Sequence, residues 1–454
     1  MNIIIAGAGK VGAALAAELS VEDHNVTIID TDQKVLANAV ETMDVMAVAG
    51  NGANMKVLRE AGIESADLLI AATNLDELNI LSCLTARKLG VERTIARVRM
   101  PEYFEQLRLM LDELGLSMVV NPELDAAREA YRLLEFPSFL KRETFARGRI
   151  EIVGIKIDSG SRLAGASLFR FYEIAKAKAM VCVVEREDGV HIPTGSFVLE
   201  EGDTIYVTAD LHNLSALVEN LGLNKKKIKS VFIIGGSRIS YYLAKQCLEN
   251  GIAVKIIEQN HKRCIALAEA LPKATIIEAD GSSSDILSSE GLGDYDACVT
   301  LTGIDEENLV LSLYAQELGV EKVITKVNRS QYDNLFNKID VGSVISPKSI
   351  ASANIVRYVR AMSTANELES VVSLHPIVNG KVEALEFKVD EGDRHRNEPL
   401  EHVPIKSGIL VACINRSGGY IVPKGDTYFS TGDTVIIVAQ VGHQIKAFND
   451  IFTD

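Results

Sequence analysis

Two doubly wound parallel-sheet α/β domains in tandem, each followed by a small α+β module, form the architecture this sequence predicts. Three observations predict it. The opening MNIIIAGAGKVGAALAAEL recurs about 230 residues later as SVFIIGGSRISYYLAKQCL. Landmarks keep that spacing along the chain: Asp30 answers to Glu258, Thr73 in LLIAATNLDELN to Thr302 in ACVTLTGIDEEN, and IPTGSFVLEEGDTIYV to VPKGDTYFSTGDTVII. A period this long duplicates whole domains rather than building a solenoid. Within each copy, apolar runs of four to six residues alternate with amphipathic helical stretches, the pattern of a parallel sheet covered on both faces.

In the first copy the strands are NIIIAG, NVTIID, VMAVAG, DLLIAAT and TIARVRM, with ANMKVLREAGI and ELNILSCLTARKLG as helices between them. This is a Rossmann-like order of elements. NPELDAAREAYRLLEF then reads as a connecting helix, with Leu124, Ala127, Tyr131 and Leu134 on one stripe and Pro137 as its stop. Beyond it the texture changes to EIVGIKI, MVCVVER and DTIYVTA, short strands separated by glycine turns, closed by the helix LHNLSALVENLGL. The expected domains are 1–122 and 229–348 (Rossmann-like) and 143–227 and 368–454 (β-rich).

Composition narrows the function. The 454 residues are 47% hydrophobic and 24% charged, a globular balance, and the net charge of −15 argues against a nucleic-acid partner, which needs a basic footprint. KKKIK (225–229) is too short to reverse that and marks a solvated boundary before a strand. No apolar run reaches membrane-spanning length, and the N-terminus carries no secretory pattern, so a cytoplasmic chain able to dock on a membrane protein is expected. The six cysteines are far apart with apolar neighbours and read as buried thiols. DEGDRHRNE (390–398) reads as a solvated loop in preference to a metal site, and His191 and His212 as turn and helix-surface residues.

The chemistry lies in Gly7-Ala8-Gly9-Lys10-Val11-Gly12. Gly7 permits the tight turn, Gly9 lets backbone approach a diphosphate, and Gly12 lets the helix pack on the sheet. The helix N-terminus presents free amides to the phosphates. Asp30 is placed to accept from two ribose hydroxyls and repels a 2′-phosphate, favouring NAD(H) or another adenosine nucleotide such as ATP or ADP. Thr73 and Asn74 end the fourth strand, where such sheets bind ligands. Arg97 and Arg99 alternate on the fifth, either to reach a terminal phosphate or to form ion pairs.

By register Gly235, Gly236, Ser237, Arg238, Ile239 and Ser240 replace that motif in the second copy, with Glu258 and Lys326 matching Asp30 and Arg97. Ser237 and Ser240 stand where Gly9 and Gly12 stood. A side chain at 237 obstructs backbone approach, while its hydroxyl is a substitute donor, so nucleotide binding in the second copy stays open. The β-rich modules offer no catalytic dyad or triad, which favours the nucleotide as a signal over the alternative of an NAD-linked oxidoreductase.

GAGKVG with Asp30, GNGANMKVLREAGIESADLLIAATNLDELN and TIARVRMPEY, echoed by EADGSSSDILSSEGLGDYDACVTLTGIDEEN, together with LEEGDTIYV and FSTGDTVII, resemble tandem RCK domains, in the layout of the peripheral regulatory subunits of Trk-type potassium uptake systems. The resemblance covers nearly the whole chain. It implies NAD(H) or ATP/ADP held by residues 7–11, Asp30, Thr73, Asn74 and Arg97, and no enzymatic turnover. It further implies a homotetramer on the inner face of the cell membrane, partnered by a potassium-translocating subunit of the Trk H/G type. A regulator of a different cation transporter is the alternative.

Overall fold

The computed structural model describes residues 1–22, 24–135, 139, 141–145, 150–158, 160–222, 227–328, 341–366, 371–378, 381–441, 445 and 447–453. Pro137 and residues 225–226 lie outside these.

The first sheet consists of β1 (Asn2–Ala6), β2 (Asn25–Asp30), β3 (Met46–Ala49), β4 (Leu68–Ala71), β5 (Arg93–Arg97) and β6 (Met118–Val120). All pairings are parallel, in the order 3-2-1-4-5-6, so the crevice between β1 and β4 is the topological switch point. The central strands β1 and β4 are buried on both faces because helices cover both. The five expected strands are present; β6, a three-residue strand with too little sequence to show a period, is a sixth. The same order recurs in the second sheet, built from Ser230–Ile234, Ala253–Glu258, Thr275–Glu278, Ala297–Thr300, Lys322–Lys326 and Ser343–Ile345.

The connecting helices do not stay with their own units. Helix Pro122–Glu135, which leaves the first sheet, buries Ala126, Ala127, Ala130, Leu133 and Leu134 among Val231, Ile233, Ile239 and Leu243 of the second unit. Helix Pro347–Asn366, which leaves the second, buries Ala351, Ile355, Val356 and Val359 against Ile3, Ile5, Val11 and Leu15 of the first. The buried face of the first helix is therefore broader than the stripe of Leu124, Ala127, Tyr131 and Leu134. Just past it, the carbonyl of Phe139 accepts from the buried ammonium of Lys322 at 2.8 Å, pinning the exchanged segment to the second sheet.

Each β-rich module is a five-stranded antiparallel sheet, and the two share one strand order. One face of each meets the other module: Ile150, Ile152, Cys182 and Tyr206 pack with Val382, Ala384, Cys413 and Ile436. All six cysteines are buried free thiols, and burial pushes Cys83, Cys182, Cys247 and Cys298 up to about 12. The 390–398 segment is a loop in which Asp390, Glu391, Gly392, Arg394 and Asn397 are exposed and none of the nine residues is buried. His395 bonds Glu398 at 2.7 Å and stands edge-on to the Phe452 ring, and among the described residues no cluster of metal-binding side chains forms. His191 ends a short strand and bonds Asp188 at 2.9 Å, and His212 lies on the helix Leu211–Asn220.

Candidate functional site

Three elements converge at the C-terminal ends of β1, β4 and β5. Gly7 turns the chain at φ +105°, and a Cβ there would lie 2.8 Å from the amide nitrogen of Thr73, so only glycine fits. Gly12 is equally constrained, since its Cβ would fall 1.8 Å from the carbonyl of Gly7. Gly9 differs: no protein atom lies within 4 Å of where its Cβ would sit. Packing does not demand glycine at that position, and the space above its backbone is open. Gly9 begins the helix Lys10–Val21, whose first amides receive no side-chain cap.

Asp30 has a job the sequence did not reveal. Its Oδ2 accepts from the amide of Ala8 at 2.7 Å and its Oδ1 from that of Asp32 at 3.0 Å, so the carboxylate ties the glycine turn to the end of β2. Each oxygen retains one lone pair for a further donor. The Thr73 hydroxyl also turns inward, to Asn79 at 2.7 Å, and Asn74 contributes its carbonyl, which accepts from Arg99.

Four site residues went unrecognised in the sequence. Asn79, fully buried, accepts from the Thr73 amide at 2.8 Å and donates to the carbonyls of Thr73 and Arg97, stapling β4 to β5. Asp76 accepts from the amides of Arg99 and Met100, both at 2.8 Å. Their copies Asn308 and Asp305 hold Thr302, Lys326 and Asn328 in the same manner. Recurrence within DELN and DEEN was the available signal. Glu123, first in the connecting helix after Pro122, lies 3.4 Å from Arg97; Tyr242 reaches over from the second unit to accept from Asn121 at 3.0 Å.

Arg97 is mostly buried, and burial lowers its pKa against the opposing pull of Glu123. Its Nε has no hydrogen-bond partner, nor have Glu123 Oε2, Asp76 Oδ1 and Arg99 Nε beside it, although the last two form an ion pair at 3.5 Å. Half of the orphaned buried side-chain atoms among the described residues therefore gather here. Arg238, opening the helix of the second glycine turn, acts electrostatically on Arg97, and Lys10 acts likewise on Lys326. The helix that follows the second glycine turn comes up to the first crevice, where the Tyr242 hydroxyl donates to the Arg99 carbonyl at 3.4 Å.

The second crevice is arranged differently. Gly235 keeps the turn at φ +98°, and Glu258 repeats the tie of Asp30, accepting from Gly236 at 2.6 Å and Asn260 at 2.7 Å. Ser237 caps its own helix by accepting from the amide of Ser240 at 3.3 Å. Lys326, almost wholly buried, donates to the carbonyls of Leu301 and Thr302, and burial lowers its pKa.

The TrkA-N domain model matches residues 3–122 and 231–347, and the TrkA-C domain model matches residues 152–222. The chain belongs to the TrkA family. TrkA relatives match end to end: the Trk system potassium uptake protein TrkA homolog of Archaeoglobus fulgidus is 31% identical over 454 residues, covering 100% of both chains. The Trk system potassium uptake protein TrkA of Haemophilus influenzae is 30% identical, covering 100% of this chain and 98% of its own. Among solved structures, the GsuK channel superposes with a TM-score of 0.63 at 17% identity, covering 97% of this chain and 77% of that one. The GsuK RCK domain superposes at 0.62 and 18% identity, covering 97% and 92%. The chain thus shares its fold with the GsuK RCK domain. Among the described residues no helix is long and apolar enough to cross a membrane.

Proposed function

We propose that this chain is the nucleotide-sensing regulatory subunit of a Trk-type potassium uptake system, docked on the cytoplasmic face of a membrane-embedded translocating subunit. The observation that carries the reading is the junction of the two units, where Lys10, Arg97, Arg238 and Lys326 come into one electrostatic neighbourhood around Glu123. Glu123, Asp76 and Asp305 offset part of that charge, and the phosphates of NAD(H), ATP or ADP are anions with the reach to join the rest. The amides behind Gly9 and the orphaned Arg97 Nε supply donors, and the free lone pairs of Asp30 suit ribose hydroxyls. A GsuK channel structure with NAD bound has the same fold, at a TM-score of 0.62 and 17% identity.

A nucleotide between the lobes favours whichever lobe angle brings the cations onto its phosphates, and this differential affinity is what shifts a conformational equilibrium. The exchanged helices make the movement of one unit a movement of the other's core. The nucleotide is a signal here and is not consumed. A coupling of about 1–3 kcal/mol changes uptake roughly 5- to 150-fold. Potassium flux through the reconstituted complex is expected to respond to NADH and ATP, and the response to be lost in Asp30→Ala. An undiminished response in that variant contradicts the reading.

Self-association belongs to the same proposal. Leu75, Leu81, Ile304 and Val310 are each more than half exposed, and the second pair repeats the first at 229 residues, so both units display an apolar patch on the same helix. A second copy of this chain matches a patch duplicated in this way, and a closed tetrameric ring buries all of them.

A further inference from the structure

The two glycine turns differ in a way that goes beyond weaker or stronger binding. In the second unit side chains bond groups of the turn that the first unit leaves open. The Ser237 hydroxyl, standing where Gly9 leaves open space, lies over the helix N-terminus and accepts from the Ser240 amide at 3.3 Å. The Ser240 hydroxyl is 2.9 Å from that of Ser237 and donates to the carbonyl of Gly235, the position where a Cβ on Gly12 would collide with Gly7. Arg263 then crosses the loop from outside, donating through Nε to the carbonyl of Gly236 and through Nη2 to that of Ser237 at 3.0 Å. By register its counterpart in the first unit is Val35, which has nothing to donate.

The contrast extends to the far side of each crevice. Lys326 and Arg97 donate to corresponding carbonyls, of Thr302 and Thr73, and Arg97 also pairs with Glu123, but Arg97 alone keeps a nitrogen, Nε, without a hydrogen bond. Of the four buried atoms without a hydrogen bond around the first crevice, Arg99 Nε and Asp76 Oδ1 form an ion pair at 3.5 Å and Glu123 Oε2 is an acceptor, which leaves Arg97 Nε as the open donor; none of the four has a counterpart on Asp305 or Lys326 of the second. A diphosphate entering the first turn meets helix amides without a side-chain cap and the unbonded Nε of Arg97. One entering the second must displace the Ser237 hydroxyl from the Ser240 amide, with no orphaned side-chain donor there to repay the exchange.

We infer that the second turn is sealed by Ser237, Ser240 and Arg263, so that each chain binds a single dinucleotide diphosphate, in the first unit. This rests on the nucleotide-sensing reading above and adds to it an asymmetry: one lobe senses and its copy is a fixed counterpart.

The test is calorimetric titration of NADH into the full-length chain. One equivalent per chain is expected for the wild type. Gly9→Ser introduces into the first turn the cap found in the second, where space for the side chain exists, and is expected to weaken binding at least about tenfold. The triple variant Ser237→Gly, Ser240→Gly, Arg263→Ala is expected to bind a second equivalent. Two equivalents in the wild type, or an unaltered single site in Gly9→Ser, overturn the inference while leaving nucleotide sensing intact. A triple variant that still binds one equivalent overturns the assignment of the seal to these three residues. Heat from neither the wild type nor the triple variant overturns both readings together.

Discussion

Arg186 and Arg416 show how a single residue type fixes a module. Arg186 donates through Nε and Nη2 to the two oxygens of Asp203, both at 2.8 Å, and Asp203 also accepts from the Glu200 amide at 2.8 Å. Arg416 repeats the fork on Asp433, which accepts from the Ser430 amide at 2.8 Å. Both aspartates are almost wholly buried, so the Gly-Asp-Thr repeat that marked the duplication is a charged staple across each sheet. Lysine cannot reproduce a planar fork. Arg186→Lys is expected to cost about 2 kcal/mol, read as a lowered urea midpoint. Arg59→Lys, at the well-exposed pair with Glu64, is expected to cost less than about 0.5 kcal/mol. Equal effects contradict this account.

Among the elements, the connecting helix carries the most consequential charge. Asp125 on it is largely buried, and burial raises its carboxyl above the usual 3.8, opposed by Arg128 and by the Asn354 amide at 3.0 Å. A raised folded-state value means the neutral acid is the form folding favours. The stabilisation is complete below the unfolded value and lost as pH rises through the folded one. Asp125→Asn, which mimics the neutral form and keeps an acceptor for Asn354, is expected to match or exceed the wild type in urea stability at pH 7. Its advantage is expected to shrink as pH falls toward 4. An advantage that grows on acidification contradicts the assignment.

For the whole molecule, the exchanged helices make one body of what the sequence presents as two units in succession. The first unit's core includes Ile355 and Val359, and the second's includes Ala130 and Leu134. Assembly of copies is expected to rest on the repeated apolar patches. Leu81→Glu with Val310→Glu, both at exposed helix positions, is expected to lower the sedimentation coefficient without altering the far-ultraviolet circular dichroism. An unchanged coefficient places the contact elsewhere.

What the sequence determined alone is what short-range chemistry specifies. The turn at Gly7, the alternation of strand and helix, and the pairing of Asp30 with Glu258 each depend on residues within one βαβ unit or on the repeat. Their periods are visible because local conformation and burial impose them. Tertiary structure decided the rest. Helix Pro122–Glu135 has an apolar face in any context, but no local signal says whose sheet it covers. Asn79 and Asp76 read as an ordinary helix start until β5 places backbone groups within their reach. Ser237 reads in sequence equally as a spare donor or as an obstruction, and only the tertiary structure shows its hydroxyl bonded to Ser240 and its carbonyl to Arg263.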